Sequence, residues 1–346
     1  DGLSFPTSDG SANQVLKTDG SGNLSFADDT AGGSGGSTTA TVSGALSDGS
    51  VVMINADGTV SAVGTATVSA SAGSATNFSA SSTASPHVVY DSNSGKVVVA
   101  YEDAGDSAKG KAVVGTVSGS TISFGTPVEF ASAVEYMDMV YDSNAQKVVI
   151  TYQDEGNNDY ASAIVGTVSG TSISFGAENN FGSACYNTRI AYDANEQKVV
   201  AIIRQKSDSH GYAYVGTIDT SNNSISFGSA TEFVNAYTSQ FAVGYDKASQ
   251  KIVVAYQDYN DTEGGRPGYV RVGTISGTSI SFGTAVTIGT GTSNFAFGYD
   301  DNASKLAIFY VKSFATQGRT ITISGTTPSF GTQTSTGMTA GGYRGT

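Results

Sequence analysis

The chain has 346 residues, with 17 Lys and Arg against 30 Asp and Glu, for a net charge of −13. So acidic a surface repels phosphate, which argues against nucleic acid and anionic lipid as partners. Leu occurs only at Leu3, Leu16, Leu24, Leu46 and Leu306, while Val, Ile, Thr, Ser, Tyr, Phe and Gly dominate. That mixture disfavours helices and favours pleated strands joined by tight turns.

Residues 1–31 are polar and turn-rich, with Asp-Gly dipeptides at Asp1, Asp9 and Asp19 and sparse apolar residues at Leu3, Phe5, Val15, Leu16, Leu24 and Phe26. Asp-Gly supplies the positive-φ turn of short hairpins, but so few apolar side chains form no core of their own. An extended arm that attaches or oligomerises is expected here. The Gly/Ser run at 32–40 reads as a flexible linker. A first residue of Asp rather than Met implies a processed or partial chain, and neither a signal segment nor a membrane-length apolar run is present.

From Ser50 the pattern becomes regular. Val51 to Ile54, a turn at Asn55-Ala56-Asp57-Gly58, and Thr59 to Gly64 predict a hairpin that matches the second half of the units that follow. Those units are five copies marked by Tyr-Asp at Tyr90, Tyr141, Tyr192, Tyr245 and Tyr299, at steps of 51, 51, 53 and 54 residues. They fall near 85–134, 135–185, 186–238, 239–291 and 292–335, with a half unit at 48–80, inside a domain spanning 41–346. Each unit reads as four strands, in the first copy about His87 to Tyr90, Val97 to Tyr101, Ala112 to Val117 and Thr121 to Phe124.

Four antiparallel strands repeated in this way predict an all-β fold of β-propeller blades. Pairing of the half unit with residues 339–346 gives a sixth blade and a closed ring. A five-blade ring with a separate hairpin is the second expectation, and an open β-solenoid the third.

Shared residues read as architecture. The Asp after each Tyr opens a turn and accepts a backbone N–H two residues on. The Lys that follows, at Lys96, Lys147, Lys198, Lys251 and Lys305, is expected opposite that Asp as an exposed pair worth ~0.2–1 kcal/mol. Cys185, the only cysteine, aligns with Thr83, Val134, Thr238 and Thr292, so a small, partly buried side chain is expected there and no intrachain disulfide exists.

Candidate function lies where the copies disagree. Connections between the second and third strands, read as Glu102 to Gly110, Gln153 to Tyr160, Gln205 to Gly211, Gln257 to Gly268 and Lys312 to Gly318, are expected on one rim. They offer Glu102, Asp103, Asp106, Asp154, Glu155, Asp159, Tyr160, His210, Tyr212, Asp258, Tyr259, Asp261 and Glu263 for binding. Carboxylates, amides and Tyr rings suit sugar hydroxyls, and they suit Ca²⁺ as hard oxygen ligands. No loop has the Asp-x-Asp spacing of a calcium loop, so no metal site and no cofactor are expected, and Ca²⁺ stays an alternative. His87, Asp138 and Arg189, three before their Tyr residues, are expected to face a central channel.

Enzyme signatures are missing. The two histidines, His87 and His210, exclude multi-His metal centres, and no nucleophile elbow or phosphate loop occurs. A glycosidase needs only two suitably spaced carboxylates, so that class survives on composition alone. The Asp-box of sialidase propellers needs a Trp, and this chain has none.

The arm, with Leu3-Ser4-Phe5-Pro6 and Asp9-Gly10-Ser11-Ala12-Asn13-Gln14-Val15-Leu16-Lys17-Thr18-Asp19-Gly20-Ser21-Gly22-Asn23-Leu24-Ser25-Phe26, resembles a segment of tail-fibre and other virion appendage proteins of marine phages, cyanophages especially. Asp48 to Val52, Asn55 to Val60 and the propeller-like repeats are similar to parts of long structural proteins from the same phages. The resemblance implies an extracellular virion protein, often trimeric, held to other virion proteins by its arm and adhesive toward a host-surface glycan, without membrane insertion or catalysis. The alternatives are a bacterial secreted or surface propeller lectin or filament subunit, and, third, a glycosidase.

Overall fold

A computed structural model describes residues 73–238, 240–262 and 265–339, with short stretches at 6–7, 11, 14–18, 21, 23–28, 52–54 and 60–62. The chain divides into two compact units, Asp1–Ser71 and Ala72–Thr346. In the first unit, Gln14–Thr18 pairs antiparallel with Leu24–Asp28, and Val52–Ile54 pairs antiparallel with Val60–Ala62. Both hairpins fall where Asp-Gly turn chemistry predicts them. The linker expected at 32–40 lies outside the described residues.

The second unit is a run of all-antiparallel blades. In blade one, Thr83–Asp91, Lys96–Asp103, Lys109–Ser118 and Thr121–Phe124 pair in sequence order. A short fifth strand, Val128–Ala131, was not evident in the sequence. It pairs with the first half of the ten-residue third strand, whose second half holds the fourth strand. Five strands therefore fill four positions, the outermost being shared by two short pieces. The pattern recurs through Phe330 and Thr334–Thr339, although in blade two the short strand runs on into the next blade as Asn179–Asp193.

Neighbouring blades meet along their first strands, with Val89 of blade one, for example, in one apolar cluster with Met139 and Tyr141 of blade two. The fifth-strand Phe of one blade reaches the second-strand Tyr and fourth-strand Phe of the next. Phe130 lies 5.4 Å from Tyr152 and 5.5 Å from Phe175, and Phe233 lies 5.8 Å from Tyr256 and 6.1 Å from Phe282. Four-position antiparallel blades stacked face to face with their first strands innermost make this a β-propeller.

Phe78 makes the same step, 5.2 Å from Tyr101 and 6.0 Å from Phe124, so residues 73–80 act as the tail of a unit preceding blade one. The remainder of the expected sixth blade falls largely outside the described residues. On the face of blade one that other blades cover with a neighbour, Val88 and Tyr90 are 64% and 60% exposed, whereas the counterparts of Val88, Met139 and Ile190, are 7% and 6% exposed.

Two local expectations change. Four of the five turn Asp residues, Asp91, Asp142, Asp193 and Asp246, are buried, while Asp300 is exposed, and Asp91, Asp142 and Asp193 each accept two backbone N–H groups, as Asp142 does from Asn144 at 2.9 Å and Ala145 at 2.8 Å. The Lys opposite does not pair with them. Its ammonium donates instead to a third-strand Thr, at 2.9 Å for Lys96 and Thr116 and 2.7 Å for Lys147 and Thr167. An Asp whose acceptor sites are filled by its own turn leaves the Lys to the neighbouring strand.

The residues preceding each Tyr also differ from expectation. Val89 and Val140 face the next blade, so both faces of a first strand serve blade packing and its free edge is innermost. Cys185 is fully buried against Ala161, Ile203 and Tyr214, and burial pushes its thiol up to about 12. No helix among the described residues is long and apolar enough to cross a membrane.

Candidate functional site: the variable rim

Each second-to-third strand connection ends in left-handed backbone, at Ser107-Ala108, Asn158-Asp159, Ser209, Gly265-Arg266 and Ser313-Phe314. Such pairs turn a hairpin with the twist its strands need. The connections themselves are shorter than expected, because the second strands run on through Asp103, Asp154, Gln205, Gln257 and Lys312. They span 104–108, 155–159, 206–210, 258–267 and 313–314.

The fifth connection is only the turn itself, and it places Phe314 at φ 64° with 81% of its surface exposed. A bulky side chain in left-handed backbone is strained by about 1 kcal/mol. Phe314→Gly is therefore expected to raise the thermal midpoint, as read by differential scanning calorimetry, because it relieves that strain and removes no buried contact.

On blade one the candidates close on themselves. Lys111 donates to Asp103 and Asp106, both at 2.7 Å, and Ser81 donates to Asp103 as well. These bonds hold the Asp103 carboxyl below the usual carboxylate range. Asp154 occupies the equivalent place in blade two with no cation beside it. Burial, followed by the Glu178 carboxyl nearby, pushes it up to about 6.

Asp154 couples stability to pH. The folded state holds the proton more tightly than the unfolded chain, whose Asp titrates near about 3.9. Its contribution is full below that value and is lost as pH rises through about 6. Asp154→Asn is expected to flatten the fall in urea midpoint between about pH 4 and about pH 6. A midpoint profile parallel to that of the parent chain would contradict the assignment.

Blades two to four bring the remaining candidates together. Asp159 accepts from Lys206 of the next blade at 2.8 Å and from Gln153 at 3.0 Å. Glu155 is exposed on a short helical turn, and Tyr160, 40% exposed, opens the third strand. Burial raises the carboxyl of Glu102, with Glu135 and Glu155 adding like charge, so these three acids share one neighbourhood. The ring of His210 lies 2.6 Å from Glu232, and Tyr212 donates to Asp208 at 2.9 Å. Burial and that carboxylate push the Tyr212 hydroxyl up to about 12. Asp258 accepts from the N–H groups of Asn260 and Asp261, at 2.9 and 3.3 Å, and the Asp261 carbonyl accepts from Arg266 at 2.7 Å. Glu263 lies outside the described residues.

The inner candidates do not form one group. His87 lies 3.2 Å from Asp138, whose other oxygen accepts from the Ile190 N–H of blade three at 3.1 Å. This chain staples three inner strands and satisfies part of a free strand edge. Arg189 turns back to donate to Asn187 and the Thr188 carbonyl, both at 2.7 Å. Among the described residues no three His, Cys, Asp or Glu side chains gather as metal ligands.

One predicted residue, Tyr259, joins five that the sequence did not single out, Tyr186, Arg204, Lys206, Tyr237 and Arg266, in the most continuous feature of this rim. Tyr186, at the irregularity between Cys185 and Asn187, has the Arg204 guanidinium 4.4 Å and the Lys206 ammonium 4.8 Å from its ring centre. Arg204 also lies 5.2 Å from the Tyr237 ring, which meets Tyr259 edge-on at 5.3 Å and 80°. Arg266 lies 4.4 Å over Tyr259. Cation and ring alternate across blades three and four.

No family model matches the chain, and no curated protein matches it. Among solved structures it is similar to a protein from Lactobacillus plantarum, at 12% identity and a TM-score of 0.51 over 74% of this chain and 72% of that one. Others are the Dos1 propeller, at 10% identity and TM-score 0.48 over 75% and 64%, and a fucose-specific lectin from Aleuria aurantia, at 19% and 0.44 over 71% and 76%. At these identities the likeness is one of fold.

Proposed function

We propose that the chain is an adhesive structural subunit of a phage virion appendage, a tail fibre or similar, whose propeller rim attaches to a host-surface glycan. One observation carries the adhesive part. The residues shared by all copies are consumed in turns and blade contacts, while the second-to-third strand connections differ in length and chemistry and collect exposed Tyr, carboxylate and cation. A rigid scaffold with divergent loops on one side is the usual layout of a binding module. The resemblance of the arm and repeats to marine phage appendage proteins supports the virion part. In this reading residues 1–31 join the subunit to other virion proteins and to its own copies as a trimer, and many weak rim contacts sum to firm attachment.

Mass spectrometry of purified virions is expected to find the chain in multiple copies, and labelled protein is expected to decorate host cells. Consistent absence from virions would overturn the first part. Failure of the intact oligomer to bind cells, with and without divalent ions, would overturn the second.

A further inference from the structure

The rim's cations stand in an unusual electrostatic position. In a chain of net charge −13, Lys109, Lys111, Lys206 and Lys247 pair with carboxylates. Arg204 and Arg266 form no ion pair among the described residues, and the Nε of Arg204 is buried with no acceptor. Arg204 as a whole is only half-buried, and an arriving anion would take a charge-assisted bond from its outer N–H groups. Its fork geometry suits a planar or tetrahedral oxyanion.

The rings beside it are just as exposed to a ligand. Tyr186 and Tyr237 are 39% and 37% exposed. Their apolar faces flank Arg204, at 4.4 and 5.2 Å from ring centre to guanidinium. A ligand that satisfies both features presents an anion beside a flat apolar ring. The carboxylates around the strip narrow the choice further. Asp159 and Asp258 accept hydrogen bonds where they stand and offer spare oxygen lone pairs to hydroxyl donors. Those same carboxylates oppose a nucleic-acid strand, which carries one phosphate per nucleotide. An acidic polysaccharide has widely spaced charges, many hydroxyl donors and pyranose faces that stack on Tyr.

From this geometry we propose that Lys206, Tyr186, Arg204, Tyr237, Tyr259 and Arg266 form a binding site for an acidic polysaccharide. A sugar carboxylate or sulfate sits against Arg204 and the adjoining pyranose rings lie on Tyr186 and Tyr237. The inference rests on the adhesive reading above, and it names the ligand class that this reading leaves open.

The test is a titration of the full chain with four probes, namely polygalacturonate, dextran sulfate, neutral dextran and oligothymidylate, alongside binding to host cells. Polygalacturonate or dextran sulfate is expected to bind with an affinity that falls with salt, and which of the two binds more tightly identifies carboxylate or sulfate. Arg204→Met is expected to weaken binding about tenfold or more, as loss of a charge-assisted bond does. Arg204→Lys should restore only part, since the ammonium lacks the fork. Tyr237→Ala and Arg266→Met, on exposed positions, give the same readout should Arg204→Met unfold, with urea midpoints as the check on folding.

Equal binding of neutral dextran, preference for oligothymidylate, or unchanged acidic-polymer affinity in Tyr237→Ala and Arg266→Met would overturn the proposal. Cell binding that survives these substitutions would overturn the site and leave the adhesive reading standing. Polymer binding without cell binding would do the reverse.

Discussion

Phe233→Ala is expected to lower the stability of the propeller by about 3–5 kcal/mol, the range for emptying a fully enclosed aromatic site. Phe233 belongs to the short fifth strand of blade three and is 0% exposed. Its ring sits 6.4 Å from Phe241, 5.8 Å from Tyr256 and 6.1 Å from Phe282, at angles between 57° and 69°. Three of these four rings belong to blade four, so the cavity would open between two sheets whose backbones are fixed by their own ladders and collapse poorly. Phe78 makes the equivalent step onto blade one but is only half-buried. Phe78→Ala should cost clearly less, and equal losses at the two sites by urea unfolding would contradict this view of how blades adhere.

Gly176→Ala is expected to be destabilising by about 3 kcal/mol, at the upper end for overpacking. In the first four copies the glycine ending the Ser-x-Ser-Phe-Gly-like close lies against the third-to-fourth strand turn of the next blade. A Cβ on Gly125, Gly176 or Gly228 would lie inside van der Waals contact of the carbonyl oxygen of Thr171, Asn223 or Thr278. Gly73 meets Ser120 in the same way, which again marks the tail of a preceding unit. The obstruction is backbone, which cannot swing aside, so the blades must part. Gly170 supplies the contrast, with φ at +62° and nothing within 4 Å of its missing Cβ. Gly170→Ala should cost only the left-handed strain, about 1 kcal/mol. Thermal midpoints of the two variants separate steric approach from backbone conformation.

These two sites show why the fold was legible. Period, turn Asp and hairpin register recur in every copy and the fifth-strand Phe in the first three, and each recurrence has a local physical cause that a sequence exposes. The short fifth strand was hidden because it borrows half of a third strand already claimed by the fourth. The partner of the Lys is not legible from its hairpin, because the Thr that accepts from it lies 20 residues away in blade one, while the Asp opposite accepts from its own turn.

The candidate site was legible only in part. Loop carboxylates drew attention by density, yet Asp103 and Asp154 prove to be buried strand ends. Tyr186, Arg204 and Tyr237 lie in one unit but are up to 51 residues apart in the chain, and only strand pairing and the return of the chain after the fifth strand bring them together. A signal did exist. Six residues after each shared Lys the copies carry Glu102, Gln153, Arg204, Gln257 and Val311, so a lone Arg replaces acid or amide in one unit of an acidic chain.

The proposed division of labour has shared residues building the propeller and divergent ones binding. It is tested most directly by replacing the 155–159 and 206–210 connections with the two-residue turn of blade five, and separately altering the Tyr-Asp hairpin tips at Asn93, Asn144 and Asn195 to Ala, then measuring host-cell binding by surface plasmon resonance on immobilised cell envelopes. The account predicts that the first variant folds but loses binding while the second keeps it. Binding lost only from the hairpin-tip variant, or retained by both, would contradict it.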